Sequence, residues 1–300
     1  IDPHARRRVT SFTWAVADRP ELGGARPTGV DWYVFDTPLW FAGPGWPLTP
    51  EVAGLARAAG LGLHRAPLDA WVRRGRGTLH LVMGGRHLEG PLRPARLTLA
   101  LDGVPFDSWT FTPRHPGEPF TRFVTLPALD DGGARPYARL TLSASAADGG
   151  ATPVVAVEQF DVRRTDQLVS ALAEGWHEAE YDTVRGIGWR WTSERSVIRV
   201  APARGFTIRL RGESPLRYLD TAPQLRVTAG PKTIATRTPA DDFEWRVDVS
   251  DADAAAAGGV VAIETDRVYL PGPAEGTSDA RHLGVRLFEI DITAADPEQP

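Results

Sequence analysis

The sequence predicts an all-β protein made of two tandem antiparallel β-sandwich domains with one or two short helices. Three observations predict it. Segments about one strand long, such as ARLTLALDG, YARLTLSAS, FTIRLRG and FEWRVDVS, alternate apolar and polar residues or are apolar throughout. Turns rich in Gly, Pro and Asp separate these segments, with almost no helix between them. The 300 residues suffice for two domains, each with its own core.

The composition excludes several classes of protein. A net charge of -4 argues against a general nucleic-acid binder, because a phosphate backbone selects for an excess of Lys and Arg. The absence of cysteine excludes a disulfide-stapled scaffold, a thiol nucleophile and thiolate metal sites. No apolar stretch has the length of a membrane span, and no signal peptide is recognisable. Because the chain starts with IDPHARRR rather than Met, we interpret it as a processed product or the soluble part of a longer protein.

Four segments are predicted along the chain. Residues 1–45 are irregular and rich in large rings, which disordered tails lack, so we expect them to cover the first domain or form its edge strand. A surface for sugars or a partner is the other interpretation. The first sandwich covers residues 46–163, a linker with a short helix covers residues 164–175, and the second sandwich covers residues 176–300. The large rings at the start are Trp32, Phe35, Trp40, Phe41 and Trp46.

Two short helices and one further helical turn are predicted. Residues 49–60 begin with the capping sequence TPE and end at glycine. Residues 165–175 place two leucines four positions apart on one helical face and would connect the domains. Residues 250–259 add one helical turn before a strand.

The two sandwiches also resemble each other in sequence. ARLTLALDG matches QLRVTAG, and VEQFDV matches LFEIDI, which pairs Asp161 with Asp291. GLHRAPLD matches GWHEAEYD, which pairs His64 with His177. The order is preserved while the spacing drifts, as loops of a duplicated domain allow. An internal duplication is predicted, with convergence of similar strand patterns as the alternative.

No specific catalytic motif is present. The sequence lacks GxSxG, GxxxxGK[ST], HExxH and a complete GxGxxG. The adjacent acids Asp130 and Asp131, like Asp241 and Asp242, stand beside turn residues, where carboxylates usually cap backbone amides. We therefore expect no catalysis, although carboxylates assembled only by the fold stay open.

Aromatic residues beside charged ones give the main functional lead. Sugars present an apolar C–H face to aromatic rings and hydroxyl groups to charged side chains. In the strand WRWTS, Trp189 and Trp191 share one face, which we expect to be the inward, core face. Trp176, His177 and Tyr218 are the freer candidates for contact with a glycan.

A long loop before the last strand carries further candidates. Asp266, Arg267, Asp279 and Arg281 place charges of both signs in it. Loops carried on a rigid sandwich are where binding residues concentrate. The alternative is an internal Asp–Arg network that holds the loop in place, and both interpretations stay open.

A structural calcium ion is a hypothesis for the second sandwich. Glu178, Glu180 and Asp291 come from its first and last strands and offer the hard oxygen ligands that calcium prefers. Calcium needs about six to eight oxygens, and no dense Asp or Asn cluster is present. We therefore favour the alternative, in which these acids pair at the surface with Arg185, Arg190 or Arg286.

At GWHEAEYDTVRGIGWRWT and the closing DARHLGVRLFEIDI, the second unit resembles galactose-binding-like β-sandwich domains. Such domains recur in bacterial carbohydrate-active proteins and in extracytoplasmic parts of membrane glycosyltransferases. The resemblance covers residues 175–292 and, more faintly, residues 40–162. It implies a jelly-roll fold, a non-catalytic carbohydrate-binding or scaffolding role, a periplasmic or cell-surface location, and often a structural calcium ligated by a glutamate such as those of the EAE segment. The closing D-x-R-x-L-G motif consists of Asp279, Arg281, Leu283 and Gly284.

The sequence and this resemblance together predict non-catalytic binding or positioning of a glycan by tandem modules of a larger bacterial envelope protein. One alternative is a structural module that packs on a membrane-embedded part of the same protein or on another partner, through the rings of residues 32–46. The second is a glycan-processing enzyme whose carboxylates meet in the fold. The residues expected to bind the glycan are Trp176, His177, Tyr218, Asp266, Arg267, Asp279 and Arg281.

Overall fold

A computed structural model of the chain describes residues 39–42, 64–65, 67–75, 77–89, 92–115, 117–129, 137–151, 154–182 and 184–295. Within these residues the protein is almost entirely β, with four antiparallel sheets, which confirms the predicted fold class. The helix predicted at residues 49–60 and the rings Trp32, Phe35 and Trp46 lie outside the described residues. None of the described helices is long and apolar enough to cross a membrane.

The chain forms two compact units, with the main division after Thr165. The first unit contains two sheets, which we call A, with strand order β1-β3-β8-β5-β6, and B, with order β2-β9-β4-β7. The strands are β1 (Trp40–Ala42), β2 (His64–Arg65), β3 (Leu68–Arg73), β4 (Leu79–Glu89), β5 (Ala95–Leu101), β6 (Val104–Phe111), β7 (Pro119–Thr125), β8 (Tyr137–Ala146) and β9 (Val154–Arg164).

The second unit contains sheet C, with order β10-β13-β18-β15-β16, and sheet D, with order β11-β12-β19-β14-β17. Its strands are β10 (Val169–Leu172), β11 (Trp176–Asp182), β12 (Ile187–Thr192), β13 (Arg195–Ala201), β14 (Phe206–Gly212), β15 (Leu225–Ala229), β16 (Lys232–Arg237), β17 (Phe243–Val249), β18 (Val260–Thr265) and β19 (Arg286–Ala294). The helices are α1 (Asp251–Ala256) and α2 (Pro271–Glu275), with a 3₁₀ turn at Pro215–Arg217.

The two units share one topology. When β11 is left out, the strands of the second unit correspond one to one, in chain order and in sheet order, to β1 through β9. A β-bulge also recurs, next to Gly85 in the β4–β9 pair and next to Gly212 in the β14–β19 pair. This agrees with the predicted duplication for β5 with β15 and for β9 with β19. The match of His64 with His177 was wrong, because β2 corresponds to β12 and β11 is an additional strand.

Alternating apolar residues build the core between sheets C and D. In β17 every second residue is buried and the others are exposed, as a strand with one wet face requires. β14 contributes its own alternate residues from the neighbouring position in sheet D. The largest fully buried side chains of this core are Ile198, Phe206, Ile208, Leu225, Ile263 and Leu287.

The helix predicted for residues 165–175 is wrong, because strand β10 occupies this segment. The leucine spacing fits a helix, but Val169, Ala171 and Ala173 are buried at every second position, which is the strand period. The backbone of β10 pairs with β13 and extends sheet C. By contrast, the predicted helical turn at residues 250–259 is confirmed as α1, whose N-cap Ser250 accepts a hydrogen bond from the backbone N–H of Asp253.

In the first unit, the described part of the aromatic N-terminal segment is strand β1. It pairs with β3, which makes it the edge strand of sheet A. The indole N–H of Trp40 donates to Asp161 at 2.9 Å, and its ring packs edge-to-face on Phe160 with centroids 4.8 Å apart. Trp40 therefore packs on this unit, as the edge-strand interpretation expected.

Candidate functional site

The candidate site is on the outer face of sheet D. Trp191 of β12 lies directly opposite Arg286 of β19, and Arg190 lies opposite Leu287. Leu287 belongs to the core, so the side chains of Trp191 and Arg286 point to the other face. Trp189 shares that face with Trp191. The prediction that these two tryptophans face inward is therefore wrong.

Phe288 of β19 adds a second ring to this face, at a β-bulge. Arg211 pairs with Glu289 and Gly212 pairs with Leu287, which leaves Phe288 unpaired. Such a bulge changes the direction of one side chain. The Phe288 ring is next to the guanidinium groups of both Arg211 and Arg286, at 5.6 and 5.5 Å.

Rings and guanidinium groups consequently alternate across three neighbouring strands. The guanidinium carbon of Arg286 is 3.8 Å from the centre of the Trp189 ring, a close cation–π contact. We call the set Trp189, Arg286, Phe288 and Arg211 the aromatic–arginine row. Trp189 and Phe288 are both partly exposed.

Glu213 holds the side chain of Arg286, which is at the centre of the row. Its buried carboxylate accepts hydrogen bonds from Arg286 Nη1 at 2.9 Å and from the Tyr218 hydroxyl at 2.9 Å, and it pairs with Arg217 at 3.1 Å. Burial, together with the hydrogen bond to Glu213, raises the pKa of Tyr218. The side chain of Arg286 is therefore held in one orientation before any ligand arrives.

Two tyrosines, Tyr218 and Tyr269, pack next to the row, beside Trp191. The Tyr218 ring packs edge-to-face on Trp191 at 5.0 Å, and it lies 5.4 Å from the Tyr269 ring. Tyr269 in turn exchanges backbone hydrogen bonds with Leu283. Trp191 is thus buried by aromatic loop residues and not by the core between the sheets. Tyr218 is the predicted ligand residue that the structure places against the row.

An ion-pair network borders the other side of the row. Glu180 of β11 lies directly opposite Trp189 and accepts a hydrogen bond from Arg281 Nη1 at 2.8 Å. Arg281 also donates to the Asp279 carboxylate, with Nη2 at 2.6 Å. The two carboxylates raise the pKa of Arg281, Asp279 foremost. Asp279 and Arg281 therefore form the internal network that was one of the two interpretations, and it fixes their loop next to Trp189.

This network gives an expected pH dependence. The hydrogen bond from Arg281 holds the pKa of Asp279 below its ordinary value, although burial acts in the opposite direction. A carboxyl with a lowered folded-state pKa stabilises the fold above its unfolded-state pKa, near 3.9, and this contribution disappears as the pH falls toward the folded-state value. We expect urea midpoints to fall below about pH 4. The fall should be smaller in Asp279→Asn, and an identical fall in that variant would contradict the assignment.

Three other predicted ligand residues lie elsewhere. The prediction that Trp176 binds a glycan is wrong. Trp176 is buried in the core, and its indole N–H donates to the Val197 carbonyl at 2.8 Å, so its ring cannot contact a sugar. The carboxylate of Asp266 accepts a hydrogen bond from the backbone N–H of Gln224 at 2.7 Å, and Arg267 is exposed on the same loop. No contact of these three residues with the row is found within the described part of the chain.

His177 is the second residue of the additional strand β11 and is half-buried. Its Nε2 lies 2.8 Å from the His282 carbonyl oxygen, next to the loop that carries Arg281. His282 itself pairs with Glu194. His177 therefore connects β11 to the loop that carries Arg281.

The residues predicted to bind calcium do not converge. Glu178 and Glu180 lie on β11 and Asp291 on β19, with β12 between these strands. Glu180 is occupied by Arg281, and Asp291 lies opposite Arg209. Among the described residues, no group of three or more His, Cys, Asp or Glu side chains is arranged to hold a metal ion. Glu180 does pair with an arginine, but its partner is Arg281 and not Arg185, Arg190 or Arg286.

Sequence reasoning missed most of the row. Arg211, Glu213, Arg286 and Phe288 lie in segments that were interpreted only as ordinary strands and turns. A signal was present in RLFEI, where Arg286 and Phe288 flank Leu287, so that a ring and a cation fall together on the face opposite the core. The bulge beside Gly212 has no comparable signal in the sequence.

Comparisons with known proteins leave the family open. No family model and no curated protein matches the chain. Among solved structures, it is similar to the CBM22-1–CBM22-2 tandem domain of Paenibacillus barcinonensis Xyn10C, with 11% identity over 78% of this chain and 85% of that chain and a TM-score of 0.28.

Two further structures are similar over a smaller share of their own length. One is the M60 catalytic domain with the CBM51-1 and CBM51-2 domains of Clostridium perfringens ZmpB, with 8% identity, 76% of this chain and 34% of that chain covered, and a TM-score of 0.21. The other is a Paenibacillus xanthan lyase, with 10% identity, coverage of 76% and 22%, and a TM-score of 0.22. Likenesses this weak assign neither ligand nor site.

Proposed function

We propose that the second unit binds carbohydrate, without catalysis, on the outer face of sheet D. The observation that carries the proposal is the aromatic–arginine row, two partly exposed rings interleaved with two guanidinium groups on one sheet face. Aromatic rings receive the apolar C–H faces of sugars, and charged side chains receive their hydroxyl groups.

The row is organised before binding. Arg286 is held between the Trp189 ring and the Glu213 carboxylate, and the bulge holds Phe288 beside it. A site built on paired strands with fixed side chains loses little conformational entropy when a ligand binds. This rigidity favours binding of a ligand of matching shape over catalysis of a reaction on that ligand.

The role of Trp189 is tested by glycan-array screening followed by calorimetry on any hit. We expect Trp189→Ala to lower the affinity at least tenfold, roughly 1.4 kcal/mol, because the ring supplies a main contact surface. The matched control is Trp109→Ala in the first unit, whose ring also carries an arginine, Arg122, at 5.3 Å. Equal losses in the two variants, or full affinity of Trp189→Ala, would exclude the row as the site.

The guanidinium at the far end of the row gives a second test. We expect Arg211→Ala to weaken binding about threefold to tenfold, because it removes hydrogen-bond donors beside Phe288. Arg209→Ala is the control, since Arg209 is equally exposed on the same face of β14 but lies opposite Asp291. Calorimetric titration of both variants with the same glycan checks this expectation, and a larger loss for Arg209→Ala would contradict it.

We also propose that the protein acts outside the cytoplasm, at the bacterial envelope, within a larger protein that handles glycans. The support is the resemblance of the second unit to galactose-binding-like domains, together with the glycan-binding role proposed for sheet D. A membrane-embedded partner belongs to the same proposal. Localisation of the full-length protein by fractionation tests it, and recovery in the cytoplasm alone would contradict it.

A further inference from the structure

The charges in and beside the row are matched in pairs. Arg286 pairs with Glu213 at 2.9 Å, and Arg211 pairs with Glu289 at 3.3 Å. On the opposite side, Arg281 pairs with both Glu180 and Asp279. The guanidinium groups of Arg286, Arg211 and Arg281 are therefore each accompanied by at least one carboxylate.

Paired charges favour one kind of ligand. A sugar hydroxyl both donates and accepts, so it can accept from a guanidinium while it donates to the neighbouring carboxylate. A carboxylate or sulfate of a ligand could contact the guanidinium only by coming close to the protein carboxylate that is already paired with it. The two negative charges would then repel each other. The pairing therefore selects hydroxyl groups over anionic groups.

The length of the row sets the size of the ligand. β12, β19 and β14 are consecutive neighbours in sheet D, and adjacent strands are about 4.8 Å apart. The row from Trp189 to Arg211 thus extends about 10 Å, which is more than one sugar ring covers. The rings of Trp189 and Phe288 stand on neighbouring strands, so they can stack on successive sugars of one chain.

We propose, on the basis of the function proposed above, that the ligand is an uncharged glycan chain. At least two consecutive sugars of this chain lie across β12, β19 and β14. Neither an acidic glycan nor a single monosaccharide has the chemistry or the length that this surface matches.

The test measures the affinity of the whole chain against ligands of two charges and several lengths. The probes are neutral gluco-, xylo- and manno-oligosaccharides of one to six sugars, and oligogalacturonates of the same lengths. We expect the best neutral series to gain at least tenfold in affinity between one and three sugars. Its affinity should change less than about twofold between 0.05 and 0.5 M NaCl, because uncharged ligands are not screened by salt. Preferred binding of oligogalacturonates with a steep loss in salt, or equal binding of monosaccharide and trisaccharide, would overturn the inference.

A variant with one carboxylate removed tests the same inference by comparing two proteins on the same ligands. Glu289→Gln leaves Arg211 without its carboxylate partner on an exposed part of the surface. We expect it to weaken neutral binding a few-fold and to add salt-sensitive binding of oligogalacturonate. Glu174→Gln, which breaks the comparably exposed pair with Arg199, is the control and should change neither. If wild type and Glu289→Gln bind oligogalacturonate equally, the inference fails, whereas absence of binding to every glycan would refute the proposed function itself.

Discussion

The Gly175→Ala substitution is expected to lower the free energy of unfolding of the second unit by about 4 kcal/mol or more. Gly175 precedes β11 with a φ of 81°, a conformation that L-residues rarely adopt. A Cβ at this position would also lie 1.9 Å from the Arg195 carbonyl oxygen, which is backbone and cannot move aside without distorting β13. Urea unfolding followed by circular dichroism measures the loss.

Gly276→Ala is the matched control for this variant. Gly276 also has a positive φ, 66°, but nothing lies within 4 Å of its added Cβ. We expect it to cost only about 1 kcal/mol, the penalty of the left-handed conformation alone. Equal losses for the two variants would show that the close contact with Arg195 contributes nothing.

The Glu213→Ala substitution is expected to destabilise the second unit by about 3 kcal/mol. It removes the carboxylate that pairs with Arg286, and the Tyr218 hydroxyl loses its acceptor at the same time. An unpaired, largely buried guanidinium is costly because its hydration is not replaced. Chemical denaturation of the variant measures the change.

A double variant tests whether the stability loss comes from the unpaired charge of Arg286. Glu213→Leu combined with Arg286→Met replaces both charges by apolar side chains of similar size, and such replacements are often close to neutral. We expect it to recover most of the stability that Glu213→Ala loses, but to lose glycan binding, because Arg286 belongs to the row. A double variant as unstable as Glu213→Ala would mean that the charge pair itself is not the source of the effect.

The first unit shows why duplication of the fold does not imply duplication of the site. The bulges equate Gly85 with Gly212, so Arg86 corresponds to Glu213. Arg86 is buried and pairs with Glu158, which stands at the unpaired bulge position that Phe288 occupies in the second unit. The same registers put Gly84 where the second unit has Arg211. The first unit therefore keeps a buried charge pair at this place and lacks the corresponding row position.

The fold could be predicted because its signals are local. The two-residue period of strands such as FEWRVDV and the turns between them are visible in any short window. The exception, β10, shows the limit. Leu168 and Leu172 have a helical spacing, but residues 169–172 form a strand because β13 offers an edge for pairing, and a short window of sequence does not show that edge.

The site could be predicted only in part, for the same reason. That Trp189 and Trp191 share a face follows from the strand period alone. Which face it is depends on their pairing with β19, and the position of Phe288 beside Arg211 depends on the bulge next to Gly212. Arg281 was recognised as a charged loop residue, but its partner Glu180 is 101 residues away. Trp176 failed as a ligand residue because its burial depends on the fold of the whole unit.

The contact between the row and a glycan is tested most directly by the indole N–H signals in a ¹H–¹⁵N spectrum. The chain has ten tryptophans, and Trp189 Nε1 is buried without a hydrogen-bond partner among the described residues, so its signal is sensitive to any change around the ring. Trp189→Phe identifies the signal by its loss. On titration with a neutral oligosaccharide we expect the Trp189 signal to move progressively while those of Trp109 and Trp176 stay fixed. Saturable binding that moves other tryptophans and leaves Trp189 unchanged would contradict the assignment of the row as the glycan site.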